Sequence, residues 1–131
     1  MTVVLDTNAY SNWRRYGHWN NIISTANKVV IPSIVLGELR AGFQRGVKAK
    51  ENERKLNDFL RRMVVEIGLV GDETSHHYAL FKNHLREKGT PIPEADVWIA
   101  AVAFEHSGLI LTGDGHFDNL PQVRVATMED A

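Results

Sequence analysis

Four acidic residues are placed where they could do chemistry together. Asp6 directly follows the apolar run Thr2-Val3-Val4-Leu5, and Asp114 lies two residues past the run Leu109-Ile110-Leu111-Thr112. Asp96 stands at the start of a long apolar stretch, and Glu38 is flanked by the apolar Leu36 and Leu39. Taken singly, each has an ordinary reading. Asp6 could be a turn or cap residue, and Asp114 a turn residue between Gly113 and Gly115. Asp96 could be a charge favoured by a helix macrodipole, and Glu38 a solvated helix residue. Taken together they suggest a cation, because buried carboxylates cost several kcal/mol unless paired, hydrogen-bonded or bound to metal. Oxygen ligands alone select Mg²⁺ or Mn²⁺ over zinc. Such an ion can activate a water and stabilise charge on phosphoryl oxygens.

The elements that must position these acids can be read from the pattern. Residues 2–5 form a short strand, and Val29-Val30-Ile31 forms another, stopped by Pro32. Ser33 is expected to cap a helix that ends near Gly42. From about residue 48 to 63, Leu56, Phe59, Leu60 and Met63 recur at helical spacing and make one apolar face. Val64, Val65 and Ile67 read as a strand. Asp72 is expected to cap a helix in which Tyr78, Phe81 and Leu85 share a face and Gly89 ends it. Residues 94–106 are too long and too uniformly apolar for a strand, and read as a buried helix. Residues 109–112 form a strand, and a last short one falls near 123–125. Short apolar strands alternating with helices predict an α/β class: a three-layer α/β/α sandwich with a central, mainly parallel sheet of about 4–5 strands. In such sheets the working groups lie at the carboxyl ends of the strands. Asp6 and Asp114 both fall there.

With 131 residues, the chain suits one domain spanning 1–131. At 44% hydrophobic and 24% charged it is of ordinary globular composition, so disorder of the body is not expected. The absence of cysteine excludes disulfides, zinc–thiolate sites and cysteine nucleophiles. No run reaches the ~18 apolar residues of a membrane span, and the opening residues lack a basic n-region. A cytoplasmic protein with no membrane partner is expected. The formal net charge of −1 gives no global argument for nucleic acid, so that partner must be argued locally.

Four blocks resemble those of PIN-domain proteins, and in particular of VapC-type toxins. They are Val3-Val4-Leu5-Asp6-Thr7-Asn8, then Ile31-Pro32-Ser33-Ile34-Val35-Leu36-Gly37-Glu38-Leu39-Arg40-Ala41-Gly42. Pro93-Glu94-Ala95-Asp96-Val97-Trp98-Ile99-Ala100-Ala101 and Leu111-Thr112-Gly113-Asp114-Gly115-His116-Phe117 complete the set. Their order and spacing match along essentially the whole chain. The resemblance implies a PIN-like fold and an endoribonuclease toxin of a type II toxin–antitoxin module, acting on RNA such as tRNA or rRNA. It implies that Asp6, Glu38, Asp96 and Asp114 bind Mg²⁺ or Mn²⁺, supported by Thr112 and also by Thr7 and Asn8. It further implies a VapB-type antitoxin and a homodimer. Two departures bear on the ligand set. Ala95 stands where the family often has Asn, with Glu94 beside it as an extra acid. Asp118 is a competing acid after Asp114.

Other features have competing readings. Between residues 40 and 66, eight basic residues stand against four acids. They either guide phosphates or form a solvated, ion-paired face; Arg40, two residues from Glu38, is the phosphate-contact candidate. His76, His77 and His84 read as surface residues rather than a second metal site, and His116 could touch substrate. Trp98 and Phe104 read as core. Trp13 and Trp19 either bind a partner or single-stranded RNA, or pack a helical hairpin on the sheet. Two rival functions remain. A haloacid-dehalogenase-type phosphohydrolase needs a second Asp two residues after the first, where this chain has Asn8. A non-catalytic RNA- or protein-binding module on the same fold would tolerate loss of one of the four acids, and none is lost.

Overall fold

The computed structural model describes residues 1–131. Five strands form one sheet: β1 (Thr2–Leu5), β2 (Lys28–Pro32), β3 (Val65–Gly68), β4 (Leu109–Leu111) and β5 (Arg124–Ala126). Six helices connect them: α1 (Thr7–Tyr16), α2 (Asn20–Thr25), α3 (Ser33–Arg45), α4 (Ala49–Leu60), α5 (Asp72–Lys88) and α6 (Glu94–Glu105). The strand order is β3-β2-β1-β4-β5. Every pairing is parallel, so the expected mainly parallel sheet is wholly so. Val3, Val4, Leu5, Val30, Ile31, Ile110 and Leu111 are completely buried, which explains why these strands show no polar alternation.

The two faces are covered by different helices. Trp13, Ile23 and Phe59, from α1, α2 and α4, meet Val29 and Val65 on one side. On the other, α6 lies over the sheet, with Val102 facing Val30 and Gly68. Helix α5 backs onto α6 through Phe81–Phe104 and the stacked pair Tyr78–Trp98. The chain winds from β1 through β2 to β3 on one side and places β4 and β5 on the other. The order therefore reverses between β1 and β4, where ligand crevices form in sheets of this kind.

Several local expectations are corrected. Ser33 is the first residue of α3; the cap position is Pro32, with extended backbone and no side-chain bond. Helix α3 continues past Gly42 to Arg45, because Phe43, four residues after the buried Leu39, still packs on the core. Helix α4 stops at Leu60, leaving Met63 outside the helix and fully exposed. Asp72 opens α5 rather than capping it, and the Gly71 N–H instead donates to Thr74 Oγ1 at 3.0 Å. Phe104 is 43% exposed and stands edge-on to His77, so it is not a core residue. His77 and His84 are half-buried rather than surface residues, whereas His76 is exposed. Trp13 and Trp19 are buried, so packing prevails for both. Trp19 adopts a left-handed backbone conformation and donates its indole N–H to the Thr127 carbonyl at 3.1 Å.

Close approach decides two glycines, Gly68 beneath Val102 and Gly108 beside Val4. A Cβ on Gly108, just before β4, would lie 2.5 Å from Cγ2 of Val4, a fully buried side chain of the central strand. Gly108→Ala should therefore destabilise by about 1–3 kcal/mol. Gly37→Ala, in α3 with open space around its Cβ, should stabilise by roughly 0.5–1 kcal/mol. Urea denaturation of both variants reads the two opposite signs.

Candidate active site

Asp6 is positioned by the step from β1 into α1. Its backbone is extended, it is the N-cap of α1, and Oδ1 accepts the Ala9 N–H at 2.7 Å. Its second oxygen, Oδ2, accepts a hydrogen bond from Thr112 Oγ1, at the end of the neighbouring strand β4. Thr112 is completely buried, and the same hydroxyl oxygen accepts the Asp114 N–H at 3.0 Å. One side chain thus links the acids that follow β1 and β4.

Asp96 lies in the first turn of α6, which points its N-terminal end at the same edge of the sheet. Asp96 Oδ2 is 2.7 Å from His116 Nδ1, and Asp114 Oδ2 is 2.9 Å from that nitrogen. Asp114 Oδ1 also accepts the His116 N–H at 2.8 Å, which folds the 113–116 turn. Glu38 reaches in from α3, where its Oε1 accepts the Thr7 hydroxyl at 2.5 Å. Glu38 is exposed, so it forms the solvent-facing wall of the cluster.

The electrostatics show that the four acids share one field. Burial pushes Asp6 up from 3.8 to about 6, against the lowering effect of Thr112 and the Ala9 N–H, and the charges of Asp96 and Asp114 add to the rise. Asp96 is also raised, chiefly by burial and further by Asp114 and Glu38, while His116 opposes the rise. No lysine or arginine pairs with any of the four. The ligand atoms of Asp96, Asp114 and His116 lie within 4.8 Å of one another, a spacing that one divalent cation can bridge. The chemistry of the donor set, carboxylate oxygens with one imidazole nitrogen, also suits such an ion.

The remaining residues singled out from sequence fall in different places. Thr7 and Thr112 hold acids of the cluster, whereas Asn8 is exposed and makes none of these hydrogen bonds. Arg40 is turned away: its Nε lies 3.0 and 3.1 Å from the two oxygens of Glu53, and Nη2 is 3.2 Å from Asn57 Oδ1. Glu94 faces α5, bound by the Tyr78 hydroxyl and by Lys82 at 2.7 Å. Asp118 is exposed on the short 3₁₀ turn His116–Asn119 and does not join the Asp96–Asp114–His116 group. His76 and His77 lie beside Asp72 and Glu73 on α5 itself and belong to no group of three that could hold a metal ion. The contact of His116 with two of the acids was not foreseen. Its one signal in the sequence is its place two residues after Asp114, in a turn bounded by glycine.

Residues 3–123 match the PIN domain family. The chain is 30% identical over 129 residues to ribonuclease VapC2 of Rickettsia felis, covering 94% of this chain and 95% of that protein. It is 32% identical over 95 residues to ribonuclease VapC4 of Mycobacterium tuberculosis, covering 72% and 73% of the two chains. Among solved structures, VapBC2 of Rickettsia felis, crystallised with a promoter DNA fragment, superimposes with a TM-score of 0.84 at 26% identity, covering 97% of this chain and 98% of that one.

The crowding of charge has a measurable consequence. An acid raised from 3.8 to about 6 binds its proton more tightly folded than unfolded. Its contribution to stability is therefore full at low pH and is lost as pH rises from about 4 through 6, by about 3 kcal/mol. Asp6→Asn keeps an oxygen for the Ala9 N–H and cannot ionise. In EDTA at pH 7 this variant should melt at or above the wild-type temperature, and wild type should lose more stability than the variant between pH 4 and 7. A variant that melts well below wild type at both pH values would show that Asp6 is only a structural cap.

Proposed function

This chain belongs to the PIN-domain family and, within it, groups with the VapC ribonucleases, and we propose that it is a divalent-metal-dependent endoribonuclease toxin. The observation that carries the reading is the meeting of Asp96 and Asp114 at His116, with Asp6 joined to Asp114 through Thr112 and Glu38 close enough to act on Asp96 by its charge, although neither Asp6 nor Glu38 lies within the tight Asp96–Asp114–His116 group; no lysine or arginine pairs with any of the four acids.

Asp96 and Asp114, with Asp6 and Glu38, would hold the ion, Mg²⁺ or Mn²⁺, and His116 is close enough to contribute. Bound there, it would supply Lewis-acid stabilisation of the scissile phosphate and an activated water at neutral pH. The protein's own contribution is rigidity. Asp6 has one oxygen tied to the α1 backbone and the other to Thr112, so it cannot swing. Glu38 is held by Thr7, and Asp114 by its own turn and by Thr112. Ligands fixed before substrate arrives need no reorganisation during reaction. The same negative cluster would repel a bare RNA strand, and an ion held by these acids would offset that repulsion. The target is structured RNA such as tRNA or rRNA, cleaved to 5′-phosphate and 3′-hydroxyl ends in the cytoplasm.

One relative of known structure, VapBC2 of Rickettsia felis, was solved as a VapBC complex. We extend that to this chain: a VapB-type antitoxin places a basic side chain in the acidic cleft, where complementarity is strongest. We also expect a symmetric homodimer.

Purified protein should cleave RNA with Mn²⁺ or Mg²⁺ and not in EDTA, and Asp96→Asn should lower the rate by roughly 100-fold or more. Mn²⁺ should raise the melting temperature of wild type and leave that of Asp96→Asn nearly unchanged. Full cleavage in EDTA by a nuclease-free preparation would overturn the reading. Co-expression with the small protein encoded alongside should yield a complex that no longer cleaves RNA, measured by co-purification and a cleavage assay.

A further inference from the structure

Helices α1 and α3 both leave the acidic cluster, tied there by the Thr7–Glu38 hydrogen bond, and both run into a region of opposite charge. A cleft of about 390 Å³ opens between α1 and the start of α4. Its walls carry Arg14, Arg15, Lys48 and Lys55, and its one acid is Glu51. Glu51 is paired within α4 to Lys55 at 3.3 Å, so those two cancel. Arg14, Arg15 and Lys48 have no carboxylate partner and are exposed. Three uncompensated cations at one cleft are a marked local excess in a chain of formal net charge −1.

The cleft is also suited to a strand with bases. The half-buried ring of Phe43 lines it, with the buried Tyr10 at its floor, beside the hydrogen-bonding side chains of Ser11 and Asn52. Arg14 is stiffened by its stacking over Trp13, 5.1 Å from the ring centroid. The reach is right as well: Arg14 follows Asp6 by eight residues of helix, about 12 Å, and Phe43 follows Glu38 by about 8 Å. A chain with a phosphate at the carboxylates would pass the cleft within a few nucleotides.

We propose that the α1–α4 cleft is the track for the RNA backbone flanking the scissile bond, with Arg14, Arg15 and Lys48 as its phosphate contacts; this rests on the ribonuclease reading above. The phosphate contact that the sequence suggested, Arg40, does not serve, because Glu53 and Asn57 already hold its guanidinium. The carboxylates then supply chemistry but little affinity, and the cleft supplies affinity without sequence readout.

The test is a double variant of two exposed cations, Arg15→Gln/Lys48→Gln, with Lys48→Arg as the conservative control. Binding of a fluorescein-labelled single-stranded RNA is followed by anisotropy in EDTA, between about 50 and 200 mM salt. The double variant should bind several-fold more weakly, and its log–log salt slope should be shallower by about 1.4, or 0.7 per lost contact. Lys48→Arg should behave as wild type. With Mn²⁺, KM for a long RNA should rise while kcat stays, and cleavage of a dinucleotide should be unchanged. An unchanged affinity and slope in a variant that folds and cleaves would overturn the cleft assignment. So would unaltered RNA binding together with lost affinity for the antitoxin, which would give the cleft to an acidic protein. If wild type cleaves no RNA under any metal condition, the ribonuclease reading fails instead, and the anisotropy still reports on the cleft by itself.

Discussion

The hydroxyl of Thr112 is the contact on which the site depends. It donates to Asp6 across the β1–β4 boundary and accepts from the backbone of Asp114. The parallel pairing of Leu5 with Leu111 brings it within reach, since each acid follows its strand by one to three residues. The boundary is also where the sheet reverses its winding, so the loops diverge and leave room at the edge. A slip of register by one residue would turn Thr112 to the opposite face and leave a buried carboxylate without its partner. The strongly apolar strands make that slip costly, because both faces of β1 and β4 are already packed.

Packing and function pull in different directions at this edge. The body of the fold gathers side chains that gain from leaving water. At the end of the same strands it gathers four carboxylates, two of which lose by it, as the raised Asp6 and Asp96 show. The loss is tolerated because each acid is anchored by a group that would otherwise need a partner of its own. These are the α1 amide, the two threonine hydroxyls, the 113–116 turn and, for Asp96, the His116 ring. A bound cation would relieve the remaining repulsion, and the stability it added would then depend on the ion concentration through mass action.

Charge is segregated along α1. Its N-terminus is capped by an acid of the cluster, and its last turn carries Arg14 and Arg15, which also complement the macrodipole. The same ten-residue helix therefore joins the negative edge to the positive cleft. A near-neutral net charge concealed this, since composition averages over opposite ends of one element.

Much of this was legible in the linear chain, for reasons of local physics. Uninterrupted β-branched runs read as buried parallel strands, and an acid immediately after such a run lies at the carboxyl edge. Asp6, Thr112 and Asp114 are therefore assigned to that edge by the sequence alone. The uniformly apolar stretch that became α6 was readable as a covered helix for the same reason. Helix ends were less legible. Ser33 and Asp72 have the side chains of caps, yet Pro32 and Gly71 occupy those positions, because the cap depends on where the preceding strand releases the chain. Pairings over long separations were not legible at all. Arg40 is two residues from Glu38 in sequence, but a helix turns those neighbours to different sides, and only the packing of α3 on α4 shows that Glu53 claims the guanidinium. His116 met Asp96 because α6 and the β4 loop end at one edge. The type and order of the acids were determined by sequence. Which cations stay free to meet a phosphate was decided only by tertiary contacts, because pairing depends on distances that no spacing along the chain encodes.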